Sequence, residues 1–249
     1  MASQPTRGRA RLGVLVPFTN SNLEADLGLL CPPGVTFHAM RLGGYDIDEV
    51  PDGDQMGAMA KVDLEEALRL LAGVRPDVML YGCTSATLTH GPEFDRQLAA
   101  QCQAQWSIPM ITAASALVRS LHLLAITKVG FASPYVKSLN DDAIDFLRTE
   151  GIETVSRHDL QEDLGNYGQS EVTPEQVVEF ACRADSPDAQ AVVLSCTDMR
   201  AVEAVDRIEA ELKKPVVTSN QAMMYWALQH TGVSSSEVQC GRLFEIDPN

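Results

Sequence analysis

Short apolar runs alternate along this chain with longer amphipathic stretches. "RLGVLVP" (11–17) is a continuous apolar run closed by proline, the pattern of a strand buried on both faces of a parallel sheet. "KVGFASP" (128–134) has the same shape. Further apolar runs follow Pro-Asp turns in "RPDVMLYGCTS" (75–85) and "SPDAQAVVLSCTD" (186–198), and follow a proline in "IPMITAASAL" (108–117) and "KPVVTSNQAM" (214–223). Between the runs, apolar positions recur at helical spacing over 54–73, 138–151, 173–184 and 199–213. Thr173-Pro174 predicts an N-cap followed by a proline in the first helical position. Gly73 and Gly151 stand where helix C-caps belong. The Met-rich stretch 221–226 predicts a helix face turned to the core.

The pattern repeats. Gly13 and Pro17 correspond to Gly130 and Pro134 at an offset of about 117 residues, Cys83 corresponds to Cys196 at 113, and Pro109 to Pro215 at about 106. Three pairs in one order predict two similar halves. Strands alternating with helices make each half an α/β, Rossmann-like lobe with a parallel sheet, the two related by a pseudo-two-fold. The first lobe is expected to comprise residues 1–118 and 222–249, the second 119–221. Ligands bind beyond the carboxyl ends of such strands. Both Cys-Thr steps fall there, so the active site is expected in the cleft between the lobes, with one thiol from each.

Composition narrows the picture. With 249 residues, 45% of them hydrophobic, the chain can bury a large core. No apolar run reaches the roughly 18 residues of a membrane span. The arginines of the N-terminus have no apolar h-region of signal-peptide length behind them, which predicts a loose tail rather than a signal peptide. A net charge of −15 argues against nucleic-acid binding, and it requires any anion site to be built locally. The six cysteines show no metal-binding spacing and are too sparse for a disulfide framework. They read as reduced thiols of a cytoplasmic protein. Apolar helices in a chain of this size suit a homodimer or higher homo-oligomer. HExxH, GxSxG, P-loop and GxGxxG patterns are absent, so no metal, nucleotide or nicotinamide cofactor is expected.

The candidate chemistry lies in the paired thiols. A helix N-terminus favours a thiolate and lowers its pKa, and its free N–H groups bind carboxylates. Two such steps face to face suit a small dicarboxylate or an amino acid, one sulfur attacking while the other moves a proton. A single Cys at a strand end is more often packing; the duplicated context favours chemistry for Cys83 and Cys196. Cys31, Cys102, Cys182 and Cys240 lack that context and read as structural, Cys182 on a helical apolar stripe. Thr84 and Thr197 are candidate helix caps, and Asn20 is a candidate turn-forming cap. Tyr135 suits a partly buried core position, and Asn166 a turn between Gly165 and Gly168. His90 reads as an exposed helix or loop residue. The loop 41–54 is expected to cover the cleft, with Arg41 reaching toward a carboxylate.

Five segments together carry a family resemblance: "VPFTNSNLE" with Asn20, "GCTS" with Cys83, "ASPYVKSLN" with Tyr135, "LGNYGQSEVTPEQV" with Asn166, and "LSCTDMRAVEAVDRIEAELKKPVVTSNQA" with Cys196. The chain resembles the maleate cis-trans isomerases of the aspartate/glutamate racemase superfamily, from about residue 11 to "GRLF" at 241–244. That tail also resembles the related arylmalonate decarboxylases. The resemblance implies a cofactor-independent isomerase acting on a small dicarboxylate. The Cys83 thiolate would add to the double bond of maleate, and Cys196 would protonate the neighbouring carbon of a succinyl-cysteine intermediate. Rotation and elimination would then give fumarate. Asn20, Tyr135 and Asn166 would hold the carboxylates, helped by Thr84, Thr197 and the backbone of their turns. Phe18-Thr19 departs from the two serines usual in that family. The alternatives are a cofactor-independent racemase of an amino acid or hydantoin, with Asp198 as helper carboxylate; an arylmalonate-type decarboxylase; and a non-catalytic small-acid binding protein.

Overall fold

The computed structural model describes residues 8–43 and 64–246. Two four-stranded sheets, parallel throughout, form its frame. In the first, β1 (Ala10–Pro17), β2 (Val35–Leu42), β3 (Val78–Tyr81) and β4 (Met110–Thr112) lie in the order β2-β1-β3-β4. In the second, β5 (Lys128–Val136), β6 (Glu153–Leu160), β7 (Ala191–Leu194) and β8 (Val216–Thr218) lie in the order β6-β5-β7-β8. The helices between them are α1 (Leu23–Leu30), α2 (Leu64–Ala72), α3 (Thr84–Trp106), α4 (Ala113–Leu123), α5 (Lys137–Thr149), α6 (Pro174–Ala184), α7 (Val205–Leu212) and α8 (Ser219–Thr231). Strand order and sense are the same in both halves, which is the two-lobed α/β fold that the repeats predict.

The repeat reaches individual residues. Thr112 and Thr218 each close a strand and open a helix with a capping box, Thr112 with Ser115 and Thr218 with Gln221. Gly13 lies against Leu71 of α2, and Gly130 lies against the Ala184 carbonyl at the end of α6. A β-carbon on Gly130 would come within 2.2 Å of that oxygen, whereas one on Gly13 would meet a movable leucine side chain at 3.0 Å. Gly130→Ala is therefore expected to destabilise by about 3 kcal/mol and Gly13→Ala by about 1 kcal/mol. Denaturant unfolding of the two variants checks the order.

The main apolar cluster is continuous through both halves. It contains Val14 and Leu80 of the first sheet, Val193 and Leu194 of the second, and Met224, Tyr225 and Leu228 of α8. Helix α8 follows a strand of the second sheet yet packs on α4 and α1. Its residues Ala222 to Tyr225 are fully buried, as a helix clasped on several sides requires.

Helix starts and stops follow local chemistry. Thr173 caps α6 with Gln176 completing the box, and Pro174 takes the first helical position. Gly151 adopts φ +80° just past α5. After α2 the left-handed residue is Arg75 rather than Gly73, because the chain makes successive turns through Gly73, Val74 and Arg75 before β3. Of the stretch 54–73, residues 64–72 are helix and 54–63 lie outside the described residues, as does most of the loop 41–54. No helix among the described residues is long and apolar enough to cross a membrane.

Candidate active site

A cavity of about 90 Å³ opens between the carboxyl ends of the two sheets, where one water needs about 10–15 Å³ of such space. Asn20, Cys83, Thr84, Tyr135, Asn166 and Thr197 line it, as does Asp198. Cys196 lies just behind, 1% exposed, with its Sγ 3.3 Å from Tyr135 Oη. The two sulfurs are close enough that charge on one pushes up the pKa of the other. Six of the seven sequence candidates thus face one cavity, and the seventh touches it through a phenol.

The turns that present these groups are built differently. Cys83 occupies the N-cap position of α3, with φ −124° and ψ 97°. Its sulfur faces the Ala86 backbone N–H and lies 3.8 Å from Ser85 Oγ. Cys196 is not at a helix N-terminus. The helical pattern over 199–213 starts late, as a 3-10 turn at Val202–Ala204 and as α7 only from Val205. Residues 195–201 instead form a turn held by the other half. Thr197 Oγ1 donates to the Gly82 carbonyl at 2.8 Å and accepts from Asn20 Nδ2 at 3.0 Å. Asp198 Oδ1 accepts from the backbone N–H of Ser21 and of Asn22, each at 3.0 Å. Asn220 Nδ2 donates to the Thr197 carbonyl at 3.0 Å. The Asp198 backbone N–H in turn donates to Cys196 Sγ at 3.3 Å.

These bonds correct several sequence expectations. Thr84 and Thr197 do not cap their own helices: Thr84 Oγ1 donates to Ser219 Oγ at 3.1 Å, and both threonines bind across the cleft. Asn20 Oδ1 accepts from the N–H of Asn22 and Leu23, so its side chain closes the turn into α1 as well as clamping Thr197. Arg41 is engaged before it can reach the cavity. It pairs with Glu24 and donates to the carbonyls of Asn20 and Pro17. His90 packs on Phe94 within α3, half-buried, and does not line the cavity.

The electrostatics also depart from expectation. A helix N-terminus was expected to lower the thiol pKa values, but burial pushes both up. The Ala86 N–H and Ser85 only partly offset it at Cys83. Cys196 is raised to about 12 by burial and by the carboxylate of Asp198, and the Tyr135 phenol is held well above its usual range by burial and by Cys196. Asp198 itself is pushed up to about 6 by burial, against the backbone donors at Asn22 and Ser21. Among the described residues no lysine, arginine or histidine lines the cavity. In the ligand-free protein, Cys83 alkylation by iodoacetamide is therefore expected to be slow at pH 7 and to rise about tenfold per pH unit below its pKa. Rapid alkylation at pH 7 would contradict this ordering of burial over helix field.

The sequence model of the arylmalonate decarboxylase family matches residues 12–244. The chain belongs to that family. Within it, the chain is 28% identical to the maleate isomerase of Pseudomonas putida over 234 residues, covering 88% of this chain and 90% of that one. It is 27% identical to the arylmalonate decarboxylase of Bordetella bronchiseptica over 247 residues, covering 98% of each. The fold matches a cysteine-to-serine variant of Nocardia farcinica maleate cis-trans isomerase with a covalently bound succinylcysteine intermediate. The TM-score is 0.86 at 24% identity, over 96% of this chain and 99% of that one. The resemblance read from the motifs, to maleate cis-trans isomerases with arylmalonate decarboxylases as relatives, is borne out.

For a member of the arylmalonate decarboxylase family, the cavity is walled unevenly. Pro17, Phe18, Leu42, Tyr81 and Ala86, all from the first half, make its apolar side. The second half supplies Tyr135, Asn166, Gln169, Thr197 and Asp198. Gln169 escaped the sequence reading. It is buried, and its Nε2 donates to the Gly165 carbonyl, bracing the loop that displays Asn166. Thr19 Oγ1 stands 3.5 Å from Asn166 Oδ1, joining that loop to the first turn.

Proposed function

We propose that the protein converts maleate, or a closely related unsaturated dicarboxylate, to its trans isomer without a cofactor. The observation that carries this reading is one small cavity with a thiol of the first half in its wall and a thiol of the second half directly behind it, against the Tyr135 phenol, its other polar groups being neutral donors and one carboxylate. Similarity to maleate isomerases over most of the chain supports it.

The proposed steps use one thiol as nucleophile and the other as acid and base. Cys83 gives its proton to solvent water, which returns it when the cycle closes, and its sulfur forms a bond to one olefinic carbon, while the π electrons move to the neighbouring carbon beside its carboxylate. Cys196, kept protonated by burial, donates its proton to that carbon. The former double bond is now single and rotates. Cys196 then takes a proton back from the same carbon, the carbon–sulfur bond breaks, and the double bond returns in the trans form. Protons and electrons balance over the cycle. The phenol of Tyr135 holds Cys196 in place and stays neutral. The amides of Asn20 and Asn166 and the backbone N–H groups of the turns at Thr84 and Thr197 supply hydrogen bonds to the two carboxylates, while the two threonine hydroxyls spend their protons on bonds across the cleft.

The racemase alternative needs Asp198 as a helper carboxylate. Its Oδ1 already accepts two backbone N–H groups, and the first turn offers Asn20 rather than a second carboxylate. The experiment is direct: mix the protein with maleate in deuterated water, add no cofactor, and follow the olefinic signals by NMR. Fumarate should appear. No change with maleate, but deuterium entering the α-position of an amino acid, would move the protein to racemase chemistry.

A further inference from the structure

Asp26 on α1 is 0% exposed, and no cationic side chain pairs with it among the described residues. Its Oδ2 accepts from Asn220 Nδ2 at 2.8 Å. The same Nδ2 donates to the carbonyl of Thr197, the residue after Cys196. A single amide therefore links a buried acid to the turn that carries the second thiol.

Three buried polar atoms around this link make no well-formed hydrogen bond among the described residues, Asp26 Oδ1, Asn220 Oδ1 and Asn22 Nδ2, although the Asn22 amide and the Val202 N–H face Asp26. Buried polar groups are rarely left so. An ionised Asp26 offers only acceptors. It can take the Asn22 amide, but the Asn220 oxygen then faces no donor. One proton on Asp26 Oδ1 resolves all three. The O–H would donate to Asn220 Oδ1, the same oxygen would accept from Asn22 Nδ2, and acid and amide would be joined by two parallel hydrogen bonds, one of them the Nδ2 to Oδ2 bond already present.

The surrounding charges pull in both directions: Arg200 attracts a charge on Asp26, but its guanidinium is already committed elsewhere. Arg200 is paired with Glu203 through two hydrogen bonds, at 2.8 and 3.0 Å. The Glu203 carboxylate disfavours a second negative charge. The Val202 backbone N–H faces Asp26 from the segment before α7, and the Cys240 thiol, raised by burial and neighbouring carboxylates, faces it as a neutral group. Burial is the largest influence on Asp26 and pushes it up to about 7.

We propose that Asp26 is a neutral acid in the working protein, paired edge to edge with Asn220, and that this pair is the positioning element for the Cys196–Thr197 turn. The catalytic part of the claim rests on the isomerase reading; the protonation part does not.

The test compares Asp26→Asn with Asp26→Ala. An amide at position 26 reproduces the pair with Asn220, its Nδ2 donating to Asn220 Oδ1, and gives up only the contact from Asn22 Nδ2, which an amide nitrogen cannot accept. The native wild-type protein holds a proton that the unfolded chain releases near pH 3.9. That contribution to stability is fully present below pH 4 and is lost as pH rises toward 7. Asp26→Asn does not titrate, so its stability relative to wild type should improve from pH 4 to pH 7 and then level off. Other titrating groups, Asp198 included, cancel in the difference. Asp26→Asn should keep kcat within about twofold of wild type, while Asp26→Ala, which frees the Asn220 amide, should lower kcat about tenfold or more with KM little changed. A stability difference independent of pH, with Asp26→Asn the weaker at every pH, would mean an ionised Asp26 and overturn the protonation. Full kcat in Asp26→Ala would overturn the positioning role. If wild type leaves maleate unchanged, the isomerase reading fails, and the stability arm still decides the state of Asp26.

Discussion

Cys83→Ser is expected to lose maleate turnover by about 10⁴-fold or more, the scale seen when a covalent nucleophile is removed. The hydroxyl is far less acidic than the thiol, so the attacking anion is not formed at working pH. The change is small in every other respect. Serine fits the volume, and the nearest polar contacts of the sulfur, the Ala86 N–H and Ser85, accept an oxygen as readily. Secondary structure and thermal unfolding should therefore match wild type. Intact-mass spectrometry after incubation with maleate should show no adduct. Wild-type turnover in Cys83→Ser would remove the covalent step from the mechanism.

Cys196→Ser has a different expected signature. Addition by Cys83 remains available, but the proton donor on the neighbouring carbon is weakened. Its loss should lower kcat about 10²–10⁴-fold, the usual contribution of a placed acid or base. Protein carrying the mass of one maleic acid should accumulate, and peptide mapping should place it on Cys83. The serine hydroxyl can still meet Tyr135 Oη, which lies 3.3 Å from the native sulfur, so the cavity should keep its shape. An unmodified protein with wild-type kcat would rule out a two-thiol cycle. An adduct on another cysteine would reassign the nucleophile.

Much of this site was legible because the chain is duplicated. Cys83 and Cys196 stood out as a pair, and the alignment that paired them also predicted both sheets. Other features resisted reading for physical reasons. Helix α3 runs through "THGPEF", where Gly91 adopts φ 77° and Pro92 follows, so its sequence reads as a break although helical segments continue on either side. The late start of α7 was hidden because 199–213 keeps helical spacing throughout; tertiary bonds to Thr197 and Asp198 hold its first residues out of the helix. The thiol pKa values were misjudged because helix fields are visible in a sequence while burial is not. Asn220 was legible in principle. Where one repeat has Ala113-Ala114 the other has Ser219-Asn220, and both polar residues reach partners in the opposite half or its turns.

The clamp between the halves also decides how the molecule can move. Gly82, Asn20, Ser21 and Asn22 of one half grip Thr197 and Asp198 of the other at the floor of the cleft. Parting the lobes would strip several buried donors and acceptors of their partners at once, at about 1–3 kcal/mol each. The spacing of the two thiols is thus tied to buried bonds that form between the halves as the chain folds.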